Sequence, residues 1–221
     1  MTAAKIRPWA SLNWPNRISL IRLLLVAPFI VLLMNQNQWP HARHAALLIF
    51  VVMAFSDLLD GVLARRLSQR TMLGAILDPL ADKVLIICAV VLLSLPESAV
   101  PEAVISNWVV VAIVAKDLWV IIGFVVVYLV TDRMRVRPTR AGKTATFGQL
   151  VMVALVLAAP DVNELVPQAG TRLATGAEWL TVALSVASVI SYTRLGLSFL
   201  AEADKPLEAN GPKDGRTDAR D

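Results

Sequence analysis

Apolar residues run along this chain in six blocks, each a candidate for crossing a hydrocarbon layer about 30 Å thick as a helix. The blocks lie near residues 18–36, 43–64, 75–96, 104–131, 144–160 and 173–200, with short polar or basic links between them. The pattern predicts an all-α integral membrane protein, a bundle of six transmembrane helices. An N-terminal juxtamembrane segment at 1–15 precedes them, where Trp9 and Trp14 suit the headgroup layer. The fifth block is short for a span. Pro79 falls in the first turn of the third, where a missing N–H costs little. An even number of spans places both termini on one side.

The basic residues give that side a direction. Lys5, Arg7 and Arg17 precede the first block, Arg65, Arg66 and Arg70 join the second to the third, and Arg133, Arg135, Arg137, Arg140 and Lys143 join the fourth to the fifth. The opposite links carry Arg43 and Arg172 among Glu97, Glu102, Asp161, Glu164 and Glu178. The positive-inside rule makes the basic face cytoplasmic. Composition agrees with a membrane protein, since 57% of residues are apolar and 17% charged, against about 45–50% and about 25% in soluble domains. The first block is read as retained rather than cleaved, because further spans follow and no small-x-small site ends it. Cys88, the single cysteine, excludes an internal disulfide and is expected only to pack. The membrane domain is expected over 1–200, with a disordered polar tail over 201–221.

Four carboxylates break this apolar pattern. Asp57 and Asp60 are three apart, Asp78 and Asp82 four apart, so each pair shares a helix face. Carboxylates inside a span are costly and face a polar cavity with partners. Four clustered anions need cations to stay ionised, and hard divalent ions with oxygen ligands supply them. Two such ions clamp the attacking and leaving oxygens of a phosphoryl transfer. Asp57, Asp60 and Asp78 are the expected ligands of two ions, Mg²⁺ or Mn²⁺. Capping alone would require one carboxylate per helix start, not four on two faces.

The spacing Asp57-x2-Asp60-Gly61-x2-Ala64-Arg65-x8-Gly74-x3-Asp78-x3-Asp82 resembles the signature of the CDP-alcohol phosphatidyltransferases, membrane enzymes of phospholipid synthesis. Every fixed position is met. The resemblance implies transfer of a phosphatidyl group from CDP-diacylglycerol to an alcohol, with release of CMP. It implies a CDP pocket at Asp60, Gly61, Ala64, Arg65 and Gly74, and a general base at Asp82, whose competing role is as a fourth metal ligand. Gly61 and Gly74 also suit close helix packing. Members of the family are commonly homodimers, and a bacterial-type cytoplasmic membrane is the expected location of this chain. Membrane lipids are the expected surroundings and no nucleic acid is expected as a partner.

The acceptor side is read from weaker signals. Pro15-Asn16-x2-Ser19-x2-Arg22 resembles the opening of the phosphatidylglycerophosphate and cardiolipin synthase branches, although Arg22 is equally able to snorkel to headgroups. Lys116-Asp117 is a charge pair deep in the fourth block, read as functional with a structural pair as the alternative. Gly142-Lys143-x2-Thr146-x2-Gln149 resembles the start of the fifth span in the same branches, and Tyr192-x-Arg194 a family ending. Acceptor-phosphate binding is therefore expected at Lys143, Arg140, Arg194, Lys116 and Thr146. Phosphatidylglycerophosphate synthases usually carry a second lysine where this chain has Ala145. That difference leans the expectation to phosphatidylglycerol as acceptor, a cardiolipin synthase, with glycerol 3-phosphate as the alternative. A divalent-cation transporter is the remote alternative, disfavoured because the carboxylates concentrate at one face with no counterpart in the second half.

Overall fold

A computed structural model describes the backbone of residues 14–67, 72–131 and 139–203, and the side chains of 20–56, 83–127, 129–130 and 139–201. Six helices make up these residues: α1 (Trp14–Met34), α2 (Ala42–Leu67), α3 (Met72–Ser94), α4 (Asn107–Thr131), α5 (Arg140–Leu165) and α6 (Ala169–Ala203). By length and composition α4, α5 and α6 are each able to cross a membrane, and Leu20–Met34, Ala42–Ser56 and Lys83–Ser94 are shorter apolar stretches.

The links α1–α2, α3–α4 and α5–α6 meet at one end of the bundle. Gln36 Nε2 donates to Ser98 O, and Asn37 Nδ2 to Glu97 O at 3.4 Å. Asn163 Nδ2 donates to Glu102 Oε2 at 2.8 Å, and Ser106 Oγ to Glu178 Oε2 at 2.9 Å. Three residues of these links, His41, Glu102 and Gln168, hold positive φ, tight turns made without glycine. With these links at one end, successive helices run antiparallel. α1 packs on α2 and α3, α5 on α6 and α2, and α4 on α6 and α3.

The core is apolar and aromatic. Phe29 and Phe50 are buried with ring centroids 5.8 Å apart, and Leu33, Met53, Leu85, Ile113, Met152 and Leu157 close around them. The α5–α6 hairpin is the tightest pair, because its glycines sit where side chains cannot. A Cβ on Gly142 would lie 2.6 Å from the Tyr192 hydroxyl, one on Gly148 2.9 Å from Leu184, and one on Gly170 2.1 Å from the carbonyl oxygen of Ala159.

Three expectations shift. α4 starts at Asn107 rather than near 104, because Ala103 and Ile105 are buried in a non-helical link whose Ile105 N donates to Leu93 O at 3.1 Å. α5 is not short. Thr139 caps it, accepting from Gly142 N at 3.0 Å, and the helix continues through Pro160 to Leu165. Arg22 is buried, so it faces the bundle rather than snorkelling. Residues 1–13 and the tail beyond 203 lie outside the described residues, as do the side chains of Asn16 and Ser19.

Candidate active site

The side chains of Asp57, Asp60, Ala64, Arg65, Asp78 and Asp82 lie outside the described residues, as does the link 68–71; the helices that carry them do not. The backbone fixes the level of each of the four aspartate positions along its helix. Asp57 lies ten residues before the end of α2, and Asp82 ten residues after the start of α3. At 1.5 Å per residue both are about 15 Å from the helix ends that the four-residue link joins. Asp60 and Asp78 are seven and six residues from the same ends, about 9–11 Å. The two pairs thus match in depth on consecutive helices, with Gly61 and Gly74 nearer the link.

That donor set fits hard divalent ions. It is made of carboxylate oxygens alone, the ligands such ions take, and it is concentrated at one level. Among residues with described side chains, no group of three or more His, Cys, Asp or Glu is placed to hold a metal.

The cationic residues divide into two groups. Arg140 and Lys143 are exposed in the first turn of α5, and Arg194 is exposed on α6. The contact of Gly142 with Tyr192 brings these three to one end of the α5–α6 hairpin. Thr146 joins them, half-buried, its hydroxyl donating to Gly142 O at 3.2 Å. Lys116 is placed elsewhere. It is buried in the middle of α4, with Nζ 2.9 Å from Asp117 Oδ1, and the same oxygen receives Lys83 Nζ from α3 at 2.6 Å. One carboxylate therefore bridges two ammonium groups, and Lys83 follows Asp82 directly.

α2 and α5 are held in register at the far end. Arg43 Nη1 donates to Leu157 O and to Asp161 Oδ2, both at 2.7 Å, and Nη2 to Asp161 Oδ1 at 2.6 Å. His44 Nε2 lies 3.0 Å from the same Oδ1. The far end of α5 thus meets the start of α2, so the end of α2 lies beside the start of α5. The carboxylates and the Arg140–Lys143–Arg194 group consequently share one end of the bundle.

The model of the CDP-alcohol phosphatidyltransferases matches residues 12–189. The chain belongs to that family. It is an enzyme of the CDP-alcohol phosphatidyltransferase class, a group that generally uses divalent metal ions. Among curated relatives, the CDP-diacylglycerol–glycerol-3-phosphate 3-phosphatidyltransferase of Bacillus subtilis (strain 168) is 29% identical over 190 residues, covering 81% of this chain and 93% of that protein. The protein of the same name from Escherichia coli (strain K12) is 35% identical over 155 residues, covering 68% and 79%. The matched region holds the whole carboxylate motif, both helices that carry it and the start of α5.

Two site features were beyond sequence reading. The Lys83 bridge to Asp117 needs the packing of α3 on α4, and no sequence spacing signals it. The register bond between Arg43 and Asp161 joins residues 118 apart.

Proposed function

We propose that this enzyme is a phosphatidylglycerophosphate synthase, transferring the phosphatidyl group of CDP-diacylglycerol to the terminal hydroxyl of glycerol 3-phosphate with release of CMP. The observation that carries this reading is the similarity over 93% of the Bacillus subtilis protein and 79% of the Escherichia coli protein bearing that name. It favours glycerol 3-phosphate over phosphatidylglycerol. Read as a missing charge, Ala145 would favour phosphatidylglycerol. Ala145 is fully buried, so a small residue there answers a packing demand.

In this reading the six helices all span the membrane, with the carboxylate end and both termini cytoplasmic. Two Mg²⁺ or Mn²⁺ ions, when bound, offset the charge of the pyrophosphate and stabilise the departing CMP oxygen. Asp57, Asp60 and Asp78 hold them, while Gly61, Ala64 and Gly74 leave room for the nucleotide and Arg65 meets a phosphate. Arg140, Lys143 and Arg194 seat the acceptor's phosphomonoester, whose charge of about −1.5 to −2 suits several cations. Asp82 takes the proton of the attacking hydroxyl. The oxygen bonds to the phosphatidyl phosphorus as the bond from that phosphorus to the CMP oxygen breaks.

Purified protein given CDP-diacylglycerol with glycerol 3-phosphate, phosphatidylglycerol, serine or inositol phosphate in turn tests the reading. CMP release is expected with glycerol 3-phosphate. Release with phosphatidylglycerol alone would return the enzyme to cardiolipin synthesis.

A further inference from the structure

Two buried polar groups on neighbouring helices have no hydrogen-bond partner among the described residues: Nε2 of Gln149 on α5 and the hydroxyl of Ser185 on α6. Both residues are at most 2% exposed. Their levels coincide. Thr181 Oγ1 donates to Gly148 O at 3.2 Å, Leu184 touches the Cβ position of Gly148, and Tyr192 that of Gly142. This antiparallel register sets Ser185 beside the turn of α5 that holds Gln149.

The backbone positions of Asp57 and Asp82 lie near that level. Gln149 lies nine residues inside α5, about 13–14 Å from its start. Asp57 and Asp82 lie about 15 Å from their own ends at that side of the bundle. The Arg43 contacts give an independent count: fourteen residues separate Arg43 from Asp57, and fourteen back from Leu157 and Asp161 reach Lys143–Phe147, two to six residues short of Gln149 and about 3–9 Å nearer the start of α5. A buried amide N–H without a partner weakens the fold. Its presence at the depth of the chemistry calls for a partner that arrives with the substrate.

We infer that Gln149 and Ser185 bind the acceptor's glycerol, hydrogen-bonding the hydroxyl next to the one that attacks. This rests on the proposed glycerol-type acceptor. The cations of the site stand further out, Lys143 lying six residues nearer the start of α5, about 9 Å. Charged donors there match phosphate, whereas a carboxamide and a hydroxyl match a neutral alcohol. An acceptor held by its phosphate at Lys143 extends its glycerol inward to Gln149 and to Asp82. A site that hydrogen-bonds a substrate hydroxyl discriminates against the analogue lacking it.

The test compares glycerol 3-phosphate with 3-hydroxypropyl phosphate, which lacks only the central hydroxyl, by CMP release. Wild type is expected to favour glycerol 3-phosphate in kcat/KM by roughly 10- to 100-fold. Gln149→Met should cut that preference to within about threefold, through the acceptor KM, without moving the KM for CDP-diacylglycerol. Its Tm should hold or rise, since an unpaired buried amide has gone. Ser185→Ala should cut the preference several-fold, and it carries the test if Gln149→Met does not fold. A wild type without the preference, a variant that keeps it, or a lower Tm with both acceptors slowed equally overturns the inference. If wild type ignores glycerol 3-phosphate, the proposed function fails by itself. Phosphatidylglycerol against phosphatidyl-1,3-propanediol then tests Gln149 in the same way, because that headgroup also carries the neighbouring hydroxyl.

Discussion

Arg43 at the start of α2 grips Asp161 near the end of α5 through two bonds, Nη1 to Oδ2 at 2.7 Å and Nη2 to Oδ1 at 2.6 Å. A forked guanidinium–carboxylate pair fixes angle as well as distance. Because Nη1 also reaches Leu157 O, the pair sets how far α2 slides along α5, and through that the depth of Asp57 and Asp60 relative to Lys143. Asp161 is partly exposed, which limits its worth. Arg43→Ala should cost about 1–2 kcal/mol, read as a lower Tm in detergent. It should also lower kcat/KM although Arg43 is far from the chemistry. Asp161→Asn should do less, since an amide still accepts one bond.

The hairpin glycines give a graded series. Gly170→Ala drives a Cβ into a backbone carbonyl at 2.1 Å, which nothing nearby is free to yield. Overpacking of this kind costs about 1–3 kcal/mol, and the yield of folded protein should fall. Gly142→Ala meets the ring of Tyr192. It should shift the Arg140–Lys143–Arg194 end and raise the acceptor KM with a smaller loss of Tm. Gly176→Ala has nothing within 4 Å and should hold or raise Tm, because alanine is the better helix former by about 1 kcal/mol.

Much of the fold was legible because six apolar blocks correspond to six helices. What failed was local and tertiary. Ile105 looked like the start of a span because a buried link residue is as apolar as a helical one. Pro160 looked like a helix end, but the turn beyond it closes on its own bonds, with Val166 N donating to Val162 O at 2.9 Å. The family was legible from the carboxylate motif, since both its spacing and its cost in apolar sequence are one-dimensional signals. Gln149 was legible only as the end of the Gly142–Gln149 resemblance and Ser185 not at all, because an unpaired buried group is visible only once its surroundings are placed.

Metal dependence follows from the carboxylate pairs. EDTA should abolish CMP release, and added Mg²⁺ or Mn²⁺ should restore it. Asp60→Asn and Asp78→Asn should weaken metal-dependent binding of CDP-diacylglycerol as well as turnover. Asp82→Asn should remove turnover and leave that binding mostly intact. Equal loss of binding in all three variants would make Asp82 a ligand instead of a base.

Ala145→Lys distinguishes charge selection from packing. If the position were open to the acceptor, a lysine would strengthen use of glycerol 3-phosphate. Ala145 is fully buried, so the new ammonium must either lose its charge or open the interface, at a cost of several kcal/mol. The expected result is poor folding without a gain in the acceptor KM. A folded variant with a lower KM for glycerol 3-phosphate would show that the site opens to solvent.

Asp117 carries the sharpest asymmetry. It receives both Lys83 and Lys116 on one oxygen, so the three groups together hold a single net positive charge. Removing the carboxylate leaves two ammonium groups facing one another, and an unpaired buried charge costs about 3–5 kcal/mol. Removing Lys116 instead leaves a neutral Lys83–Asp117 pair. Asp117→Ala should therefore be severe in Tm and activity, and Lys116→Met mild in both. Adding Lys116→Met to Asp117→Ala should recover part of the loss, since the remaining Lys83 is more than a third exposed and able to hydrate. Lys116 was expected from its sequence context to bind the acceptor phosphate. A Lys116→Met variant with normal Tm but a tenfold higher acceptor KM, a change worth about 1.4 kcal/mol, would restore that role and remove the structural one.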